Sequence, residues 1–512
     1  MLRRIGQSFA AQVLRLGVSL VDRVFVVAVL LRAWGTDIYA DWAILLSCAT
    51  LLSLAEFGLN IHYGNVWQKA HVEHDVARFQ RILSVALGCT LLLGLCVAAL
   101  GLAAAFATDL PRFLSVSAIP HAQALAMLGL MALATISRMM RGAISQVYRG
   151  RQSYAHGVVI DAAALAALAA TMIVAAVCGA SPIAMAFLYL ASDLTAGWGL
   201  MLWDQSRRWP DLRFRPVKPT WAEVSDIAAH VRWLAIMQGA PLAWNSLPVV
   251  LLGAMGANGN ALVSFLMLRT LANLARQIAS LLSISAGIEV ANLQYAGNAS
   301  GVVRQLELLG RFLSAMTGGI AVAVALFGES FLAVWSGHDG LFDPTIAATL
   351  FGAAVITAPS APVVAYLMLA NSARPAAIAF VFQLAIGLAA CAALAGPYDV
   401  AGAAVGLAVG EAMGQAIALP LLAARQIVGF SCLRYLKQCA LATILTAAWS
   451  AGIGYAVATC IGTDNAVGLF FAGAMWCALG LIPALIMILP AHRREAIVRH
   501  LARRGFGTSR TV

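Results

Sequence analysis

The sequence predicts an all-α polytopic membrane protein with about fourteen transmembrane helices. Of its 512 residues, 62% are hydrophobic and only 11% are charged, whereas about a quarter of the residues in a soluble domain are charged. Apolar runs of the roughly 20 residues that cross a bilayer recur along the whole chain. These runs lie near residues 12–34, 39–63, 82–107, 121–145, 158–178, 183–205, 231–253, 260–286, 311–334, 345–370, 376–396, 400–424, 438–461 and 466–489.

Lysine and arginine predict the orientation of these spans. With the N-terminus in the cytoplasm, 24 of the 33 basic residues fall in cytoplasmic segments, and only Arg112 falls in an opposite loop. This asymmetry satisfies the positive-inside rule and predicts that both termini are cytoplasmic. The topology therefore explains the net charge of +11, and we expect no nucleic-acid partner. A basic segment at 492–504 is expected to lie on the membrane surface.

Neither the loops nor the cysteines indicate a catalytic or metal centre. The longest outer loop, Thr108–Pro120, is too short for a soluble domain. The nine cysteines include no CxxC pair and lie mostly in apolar runs, as small packing residues do. His71 and His74 have the spacing of metal ligands, but the sequence offers no obvious third ligand. We expect no metal, no cofactor and no enzymatic activity.

The two halves of the chain are similar at an offset of 221 residues. The stretch around Gly35 matches that around Gly256, and near the same offset the turn at 148–157 matches that at 369–378. Duplicated halves of about six spans are typical of transporters with a central site. We predict an N-terminal six-helix lobe over 1–215, a C-terminal six-helix lobe over 216–430, and helices 13 and 14 with a basic cytoplasmic tail over 431–512.

The first predicted hairpin carries charges inside both of its spans. Asp22 and Arg23 lie near the middle of span 1, Arg32 lies near its outer end, and Glu56 lies in span 2. A charge at the bilayer centre costs at least a few kcal/mol, so such residues face a water-filled cavity or a partner. For Arg15, at a depth comparable with Glu56, we expect an ion pair with that carboxylate.

Further arginines lie inside later spans. In span 8, Arg269, Asn273 and Arg276 are spaced i, i+4 and i+7, so they share one helix face. Arginine suits a diphosphate because its planar guanidinium donates two parallel hydrogen bonds and keeps its charge. Near helix ends, snorkelling or pairing with a carboxylate is the alternative explanation. We predict a basic, substrate-binding lumen formed by Arg23, Arg32, Arg138, Arg269 and Arg276.

Carboxylates inside the spans are candidates for coupling to H⁺ or Na⁺. Desolvation raises the pKa of a carboxylate and a neighbouring arginine lowers it, so a group between these effects can bind and release an ion. A static salt bridge is the alternative for each of them. The candidates are Asp22, Glu56, Asp193 and Glu411, and the candidate polar residues of the lumen are Asn245 and Asn273.

The first turn and second span, WGTDIYADWAILLSCATLLSLAEFGLN, resemble the polysaccharide flippases of the MOP superfamily. In that family a short glycine-containing turn leads to a tyrosine, a tryptophan, and an acidic residue followed by glycine and leucine. The stretches at 147–152 and 284–298 are also similar to turns of the family. The matching residues in the second span are Tyr39, Trp42, Glu56, Gly58 and Leu59.

The resemblance implies a fold of two pseudo-symmetric six-helix lobes in a V around a central lumen, with two extra helices. It also implies a secondary transporter that flips a polyprenyl-diphosphate-linked oligosaccharide by alternating access, for surface polysaccharide biosynthesis. The implied partners are this lipid-linked glycan, membrane lipids, and a polysaccharide polymerase with its export machinery. The protein is expected to be a monomer in the inner membrane of a bacterium.

Two other functions compete with this interpretation. A multidrug or metabolite antiporter of the same superfamily usually has twelve spans and a cavity rich in carboxylates and aromatic residues. Arginines in the spans fit an anionic cargo better. A membrane glycosyltransferase or polymerase needs acidic or basic groups on outer loops, and those loops are short and carry single, scattered aspartates.

Overall fold

The computed structural model describes residues 2–56, 58–369, 372, 374–463 and 465–488. Within these ranges every regular element is a helix and no strand occurs. The basic tail predicted beyond residue 489, with its surface segment at 492–504, lies outside the described residues.

The described residues of the first half of the chain form nine α-helices. A π-helical turn, Asp22–Val26, joins the first helix to the second, and a second π-helical turn, Asp193–Gly197, joins the eighth to the ninth. A 3₁₀ turn, Leu52–Glu56, ends the second helix. The helices are α1 Leu2–Val21, α2 Val27–Leu51, α3 Leu59–Val72, α4 Val76–Ala107, α5 Leu110–Phe113, α6 His121–Gly150, α7 Tyr154–Val177, α8 Pro182–Ser192 and α9 Trp198–Arg208.

In the second half, ten α-helices and two π-helical turns lie within the described ranges. One π-helical turn, Ala412–Ala418, follows directly on Glu411, and the other is Cys477–Leu481. The helices are α10 Trp221–Ala254, α11 Gly259–Tyr295, α12 Ala299–Ser336, α13 Pro344–Thr357, α14 Ser360–Leu369, α15 Arg374–Glu411, α16 Leu419–Ala424, α17 Cys432–Cys460, α18 Ala466–Trp476 and α19 Ile482–Ile488.

Two of these helices contain a reversal and therefore hold parts of two spans. In α2 the reversal is at Gly35, with φ of 76°, and in α15 it is at Asp399, with φ of 52°. Gly256, the predicted counterpart of Gly35, also has a positive φ, 87°. Glycine reaches this left-handed region without steric cost. The matched glycines thus share a positive φ, and the duplication stays a prediction.

The chain is a multi-pass membrane protein. Nine of the described helices are long and apolar enough to cross a membrane, or ten if the pair α13 and α14, bent by 48°, is one span. One of the nine, Arg374–Ala424, holds two predicted spans that meet at Asp399. Predicted spans 1, 2 and 8 coincide with α1 to α3 and with α11, which are not among these nine.

The described chain divides into two compact units. Unit 1 comprises Met1–Leu266, Trp335–Gly337 and Phe380–Leu407, and unit 2 comprises the remainder. An aromatic cluster around Trp67, Phe79 and Tyr148 forms part of the core of unit 1. In unit 2, Phe327 packs with Trp476 on the appended helices. The three-part division predicted from the sequence stays a prediction.

The segment between α9 and α10 is fixed on unit 1. The Gln80 side chain on α4 hydrogen-bonds both the amide and the carbonyl of Arg213, at 2.9 and 2.5 Å. Further along, the amide of Val217 donates to the Ser84 carbonyl at 3.0 Å. Gly88 on α4 allows this approach, since a Cβ there would lie 1.9 Å from the Val217 oxygen.

Candidate functional site

Asp193 is the centre of a buried network of charges in unit 1. Its side chain is 3% exposed and lies in the π-helical turn between α8 and α9. One carboxylate oxygen accepts a hydrogen bond from the Ser137 hydroxyl at 2.5 Å. The other lies 3.2 Å from Arg141 Nε and 3.6 Å from Arg138 Nε. Two arginines of α6 therefore share one aspartate.

The network continues from Arg141 to α7 and α1. Arg141 Nη1 lies 2.9 Å from Asp161 Oδ1, and Arg15 Nε lies 2.9 Å from Asp161 Oδ2. The partner of Arg15 is therefore Asp161, and the expected pair with Glu56 is wrong. The expectation rested on depth alone, and α1 packs closely against α7, which carries Asp161.

Arg138, at one end of this network, keeps a donor that forms no hydrogen bond with the described residues. Its guanidinium lies over the Tyr189 ring, 4.1 Å from the centroid, and Nη1 donates to the Tyr189 hydroxyl. Its Nη2 is buried and has no hydrogen-bond partner among the described residues. A buried donor without a partner costs about 1–3 kcal/mol, so a ligand that accepts from it is favoured.

Asp22 and Arg23 begin the π-helical turn that follows α1. Both side chains are half-buried, and Asp22 is attracted by Arg138 as well as by its neighbour Arg23. Further along the same span, Arg32 is exposed and its Nη2 lies 3.5 Å from the Trp335 carbonyl. In unit 1 the structure thus brings Arg23 and Arg138 near one carboxylate.

Glu56 is held in a different way from the other carboxylates. It ends the 3₁₀ turn after α2, and its Oε1 accepts from the Asn60 side chain at 2.5 Å. Asn60 is 7% exposed. Among the described residues no arginine, lysine or histidine lies within ion-pair distance of Glu56.

Arg276 and Glu411 form the corresponding pair in unit 2. Arg276 Nη2 lies 2.6 Å from Glu411 Oε2, and Arg276 Nη1 donates to Asn273 Oδ1 at 2.9 Å. The spacing of Asn273 and Arg276 thus predicted a real contact on α11. Arg269, two turns earlier, is 6% exposed. Glu411 is 5% exposed, so the pair is screened from water on the acidic side.

The backbone around Glu411 is irregular and is stabilised by residues that the sequence did not single out. The π-helical turn after Glu411 frees the Gln415 carbonyl, which accepts from the Ser360 hydroxyl at 2.5 Å. Ser360 begins α14, directly after the bend in span 10. The Tyr435 hydroxyl on α17 donates to the Pro359 carbonyl at that bend, at 2.5 Å.

The last predicted polar residue, Asn245, lies on α10 between two prolines, Pro241 and Pro248. Its side chain is exposed, and its Nδ2 donates to the Pro241 carbonyl at 3.0 Å.

Three of the four π-helical turns of the described chain contain or adjoin a charged candidate. Asp22 and Arg23 lie in the first, Asp193 begins the second, and Glu411 precedes the third. π-Helical turns occur frequently at functional sites, because one extra residue redirects side chains. Fixed arginines beside such turns can hold an anionic group inside the protein.

The fold is that of transporters of the MOP superfamily. A lipid II flippase, MurJ, in an inward closed conformation is similar with a TM-score of 0.64 and 11% identity, covering 97% of this chain and 100% of that chain. An inward-facing multidrug resistance MATE transporter of the superfamily has a TM-score of 0.60 and 13% identity, covering 84% and 99%. A superfamily transporter from Pyrococcus furiosus, described as having a binding pocket of reverse polarity, has a TM-score of 0.54 and 13% identity, covering 86% and 96%. No protein-family model matches the chain, and no curated protein matches it in sequence.

Proposed function

We propose that this protein is a secondary transporter that flips a polyprenyl-diphosphate-linked oligosaccharide from the cytoplasmic to the periplasmic leaflet by alternating access. The observation that carries the proposal is the uncommitted, buried donor of Arg138 beside an aspartate that Arg141 already neutralises. A diphosphate can accept from Arg138 while Asp193 keeps a counter-ion. Such charge-assisted hydrogen bonds are about twice as strong as neutral ones.

The ion-pair network of unit 1 also supports an anionic cargo. It contains three arginines, Arg15, Arg138 and Arg141, but only two carboxylates, Asp161 and Asp193. The similarity to the lipid II flippase extends over more of this chain than the similarity to the MATE transporter, 97% against 84%, which favours a lipid-linked cargo.

Among the carboxylates we assign ion coupling to Glu56. Asp193 and Glu411 each lie beside an arginine that already balances their charge. Glu56 has an amide as its hydrogen-bond partner. Replacing it with glutamine should leave cargo binding intact and abolish the dependence of flipping on a proton or sodium gradient. Gradient-driven flipping by Glu56→Gln would refute this assignment.

The test of the function is a strain that lacks the protein, complemented with variants. We expect complete lipid-linked oligosaccharide to accumulate on the cytoplasmic leaflet, and the intact gene to relieve the accumulation. Arg138→Gln should lower the flipping rate at least about tenfold, the loss of one charge-assisted hydrogen bond. Arg207→Gln is the matched control, since Arg207 is exposed at the end of α9 and rests on Trp203.

Other results would favour the competing functions. Unchanged glycan lipids with altered drug sensitivity would indicate a multidrug antiporter. Arrest before the complete repeat unit would indicate a glycosyltransferase. Either result contradicts the proposed flippase.

A further inference from the structure

A cavity of about 410 Å³ lies in unit 2, away from the charged pair of Arg276 and Glu411. It opens between the first turns of α12 and the segment that joins α16 to α17. Both segments are predicted to be cytoplasmic from the distribution of lysine and arginine. The lining residues are Ala299, Ser300, Val303, Arg304, Glu307, Val428, Gly429 and Arg434.

One wall of the cavity is a polar face of α12. Ser300, Arg304 and Glu307 are spaced i, i+4 and i+7, which places them on the same side of the helix. Arg304 is exposed. It makes no hydrogen bond or ion pair with any other residue that the structure describes. Its charge is therefore available to a ligand.

The opposite wall carries a second arginine that is held in place. Arg434 Nε and Nη2 lie 3.1 and 2.9 Å from the same oxygen of Glu307, Oε1. A guanidinium has five N–H donors, so this contact leaves donors of Arg434 unused. Glu307 therefore orients Arg434 and leaves some of its N–H donors unused. Arg304 and Arg434 can then bind one anion from opposite sides of the cavity.

The surroundings of the cavity are basic. The segments 299–311 and 425–437 carry five cationic residues and a single acidic one. The acidic residue, Glu307, is the one already paired. The five cationic residues are Arg304, Arg311, Arg425, Arg434 and Lys437.

Exposed apolar side chains adjoin this basic cavity. Val428, on its rim, is 77% exposed, and Leu433, next to Arg434, is 65% exposed. A membrane protein presents such side chains to acyl chains, and basic residues just cytoplasmic of a span attract anionic headgroups. We propose that this cavity binds the phosphate headgroup of an anionic phospholipid, with Arg304 and Arg434 as its ligands. The site uses none of the residues assigned to the transported cargo.

The experiment is a lipid titration of the purified full-length protein in detergent, followed by native mass spectrometry. The probes are phosphatidylglycerol, phosphatidylcholine and inorganic phosphate. We expect phosphatidylglycerol to bind at least about tenfold more tightly than phosphatidylcholine, and Arg304→Gln to weaken it about tenfold. Arg207→Gln, which removes an exposed cation at the end of α9 that does not line the cavity, should bind phosphatidylglycerol as the wild type does.

Arg304→Gln is the decisive variant because Arg304 makes no hydrogen bond or ion pair with another described residue. Arg434→Gln also removes the ion-pair partner of Glu307 and can destabilise the protein. Lipid binding by this variant is therefore compared only if its unfolding temperature equals that of the wild type. Equal binding of phosphatidylglycerol by Arg304→Gln and the wild type would overturn the site. Complete displacement of the lipid by inorganic phosphate would overturn the lipid assignment in favour of a free phosphate ligand.

Discussion

Asp41 shows that a charged residue in a predicted span can hold a loop in place. Its side chain is buried, and its Oδ2 accepts hydrogen bonds from three consecutive backbone amides. These amides belong to residues 117, 118 and 119, at 3.1, 2.7 and 3.0 Å. The loop ends at the start of α6, the helix that carries Arg138 and Arg141. Asp41 therefore fixes the N-terminal end of that helix.

We expect Asp41→Ala to destabilise the protein by about 3 kcal/mol, because three backbone amides lose a buried, charged acceptor. Asp41→Asn keeps an acceptor oxygen without the charge, so it should lower the free energy of unfolding by less. Thermal unfolding in detergent measures both effects, and Asp37→Ala, an exposed aspartate in the same helix, is the control. Equal unfolding temperatures for Asp41→Ala and the control would contradict this role.

The identities of the buried charges were predictable from the sequence, but several of their partners were not. A mid-span arginine or aspartate is conspicuous in an apolar run, so Arg138, Arg276 and Glu411 were all identified. Pairing depends on which helices are neighbours, and equal depth does not determine that. Arg15 accordingly binds Asp161.

The π-helical turns determine the direction in which charged side chains point from their helices. The turn Asp193–Gly197 inserts one extra residue between α8 and α9. Residues beyond such a turn are rotated by about 100° relative to a regular helix. Beyond it, Trp198 Nε1 donates to the Ser137 hydroxyl at 2.9 Å, which in turn donates to Asp193. One extra residue does not change the hydrophobic pattern of an apolar span noticeably. The sequence therefore did not predict the π-helical turn.

Deleting Thr195 should convert this turn into a regular helix. The rotation separates Asp193 from the residues of α9, and we expect transport to be lost while the protein still folds. Thr195→Ala is the matched control, since it removes only the hydrogen bond to the Ala191 carbonyl. Protein level, unfolding temperature and flipping rate are measured for both variants. Normal flipping by the deletion variant would show that the turn is dispensable.

The start of α10 is stabilised by a capping box that depends on pH. Thr220 and Glu223 hydrogen-bond each other's backbone and side chain, and Arg81 lies 3.0 Å from the Glu223 carboxylate. The bond from the Thr220 amide, followed by that from Arg81, lowers the pKa of Glu223 below its ordinary 4.5. A lowered pKa means that the stabilisation is complete above 4.5 and is lost as the pH falls through the lower, folded-state value.

We therefore expect the first turn of α10 to exchange its amide hydrogens faster as the pH is lowered below about 4.5, after correction for intrinsic exchange. Glu223→Gln retains the hydrogen-bond acceptor and should remove this pH dependence. The first turn of α12 is an internal control, because its cap is Asn298, which accepts from Gly301 at 2.8 Å and does not titrate. The same pH profile in both turns would contradict the assignment.

Composition predicted the helices of the whole molecule well, because an apolar run in lipid must form all its backbone hydrogen bonds within the protein. Every one of the fourteen predicted spans overlaps a described helix. The reversal at Gly35 was predicted from a polar turn between apolar runs. The bend between α13 and α14 was missed, although Pro359 and Ser360 interrupt the apolar run at that point. The residues that hold the bend, Gln415 and Tyr435, are distant in sequence.

Substitutions at Arg276 and Glu411 can separate a role in transport from a role in stability. Arg276→Gln alone leaves a buried carboxylate without its counter-ion and should cost about 3–5 kcal/mol. The double variant, Arg276→Gln with Glu411→Gln, removes both charges and should recover most of that stability. If Arg276 serves the cargo, the double variant is stable and does not flip lipid-linked oligosaccharide.

The matched control for this pair is Arg151→Gln with Asp211→Gln, an ion pair whose acidic partner is exposed. That double variant should be stable and active, because neither residue belongs to the intramembrane networks. Unfolding temperature and flipping rate are compared across all variants. Normal flipping by the Arg276 and Glu411 double variant would mean that the pair is structural, and the basic site would then rest on Arg138 and Arg23. Loss of flipping with recovered stability can arise only if the charge at residue 276 or 411 acts in transport, since the stability cost has been removed.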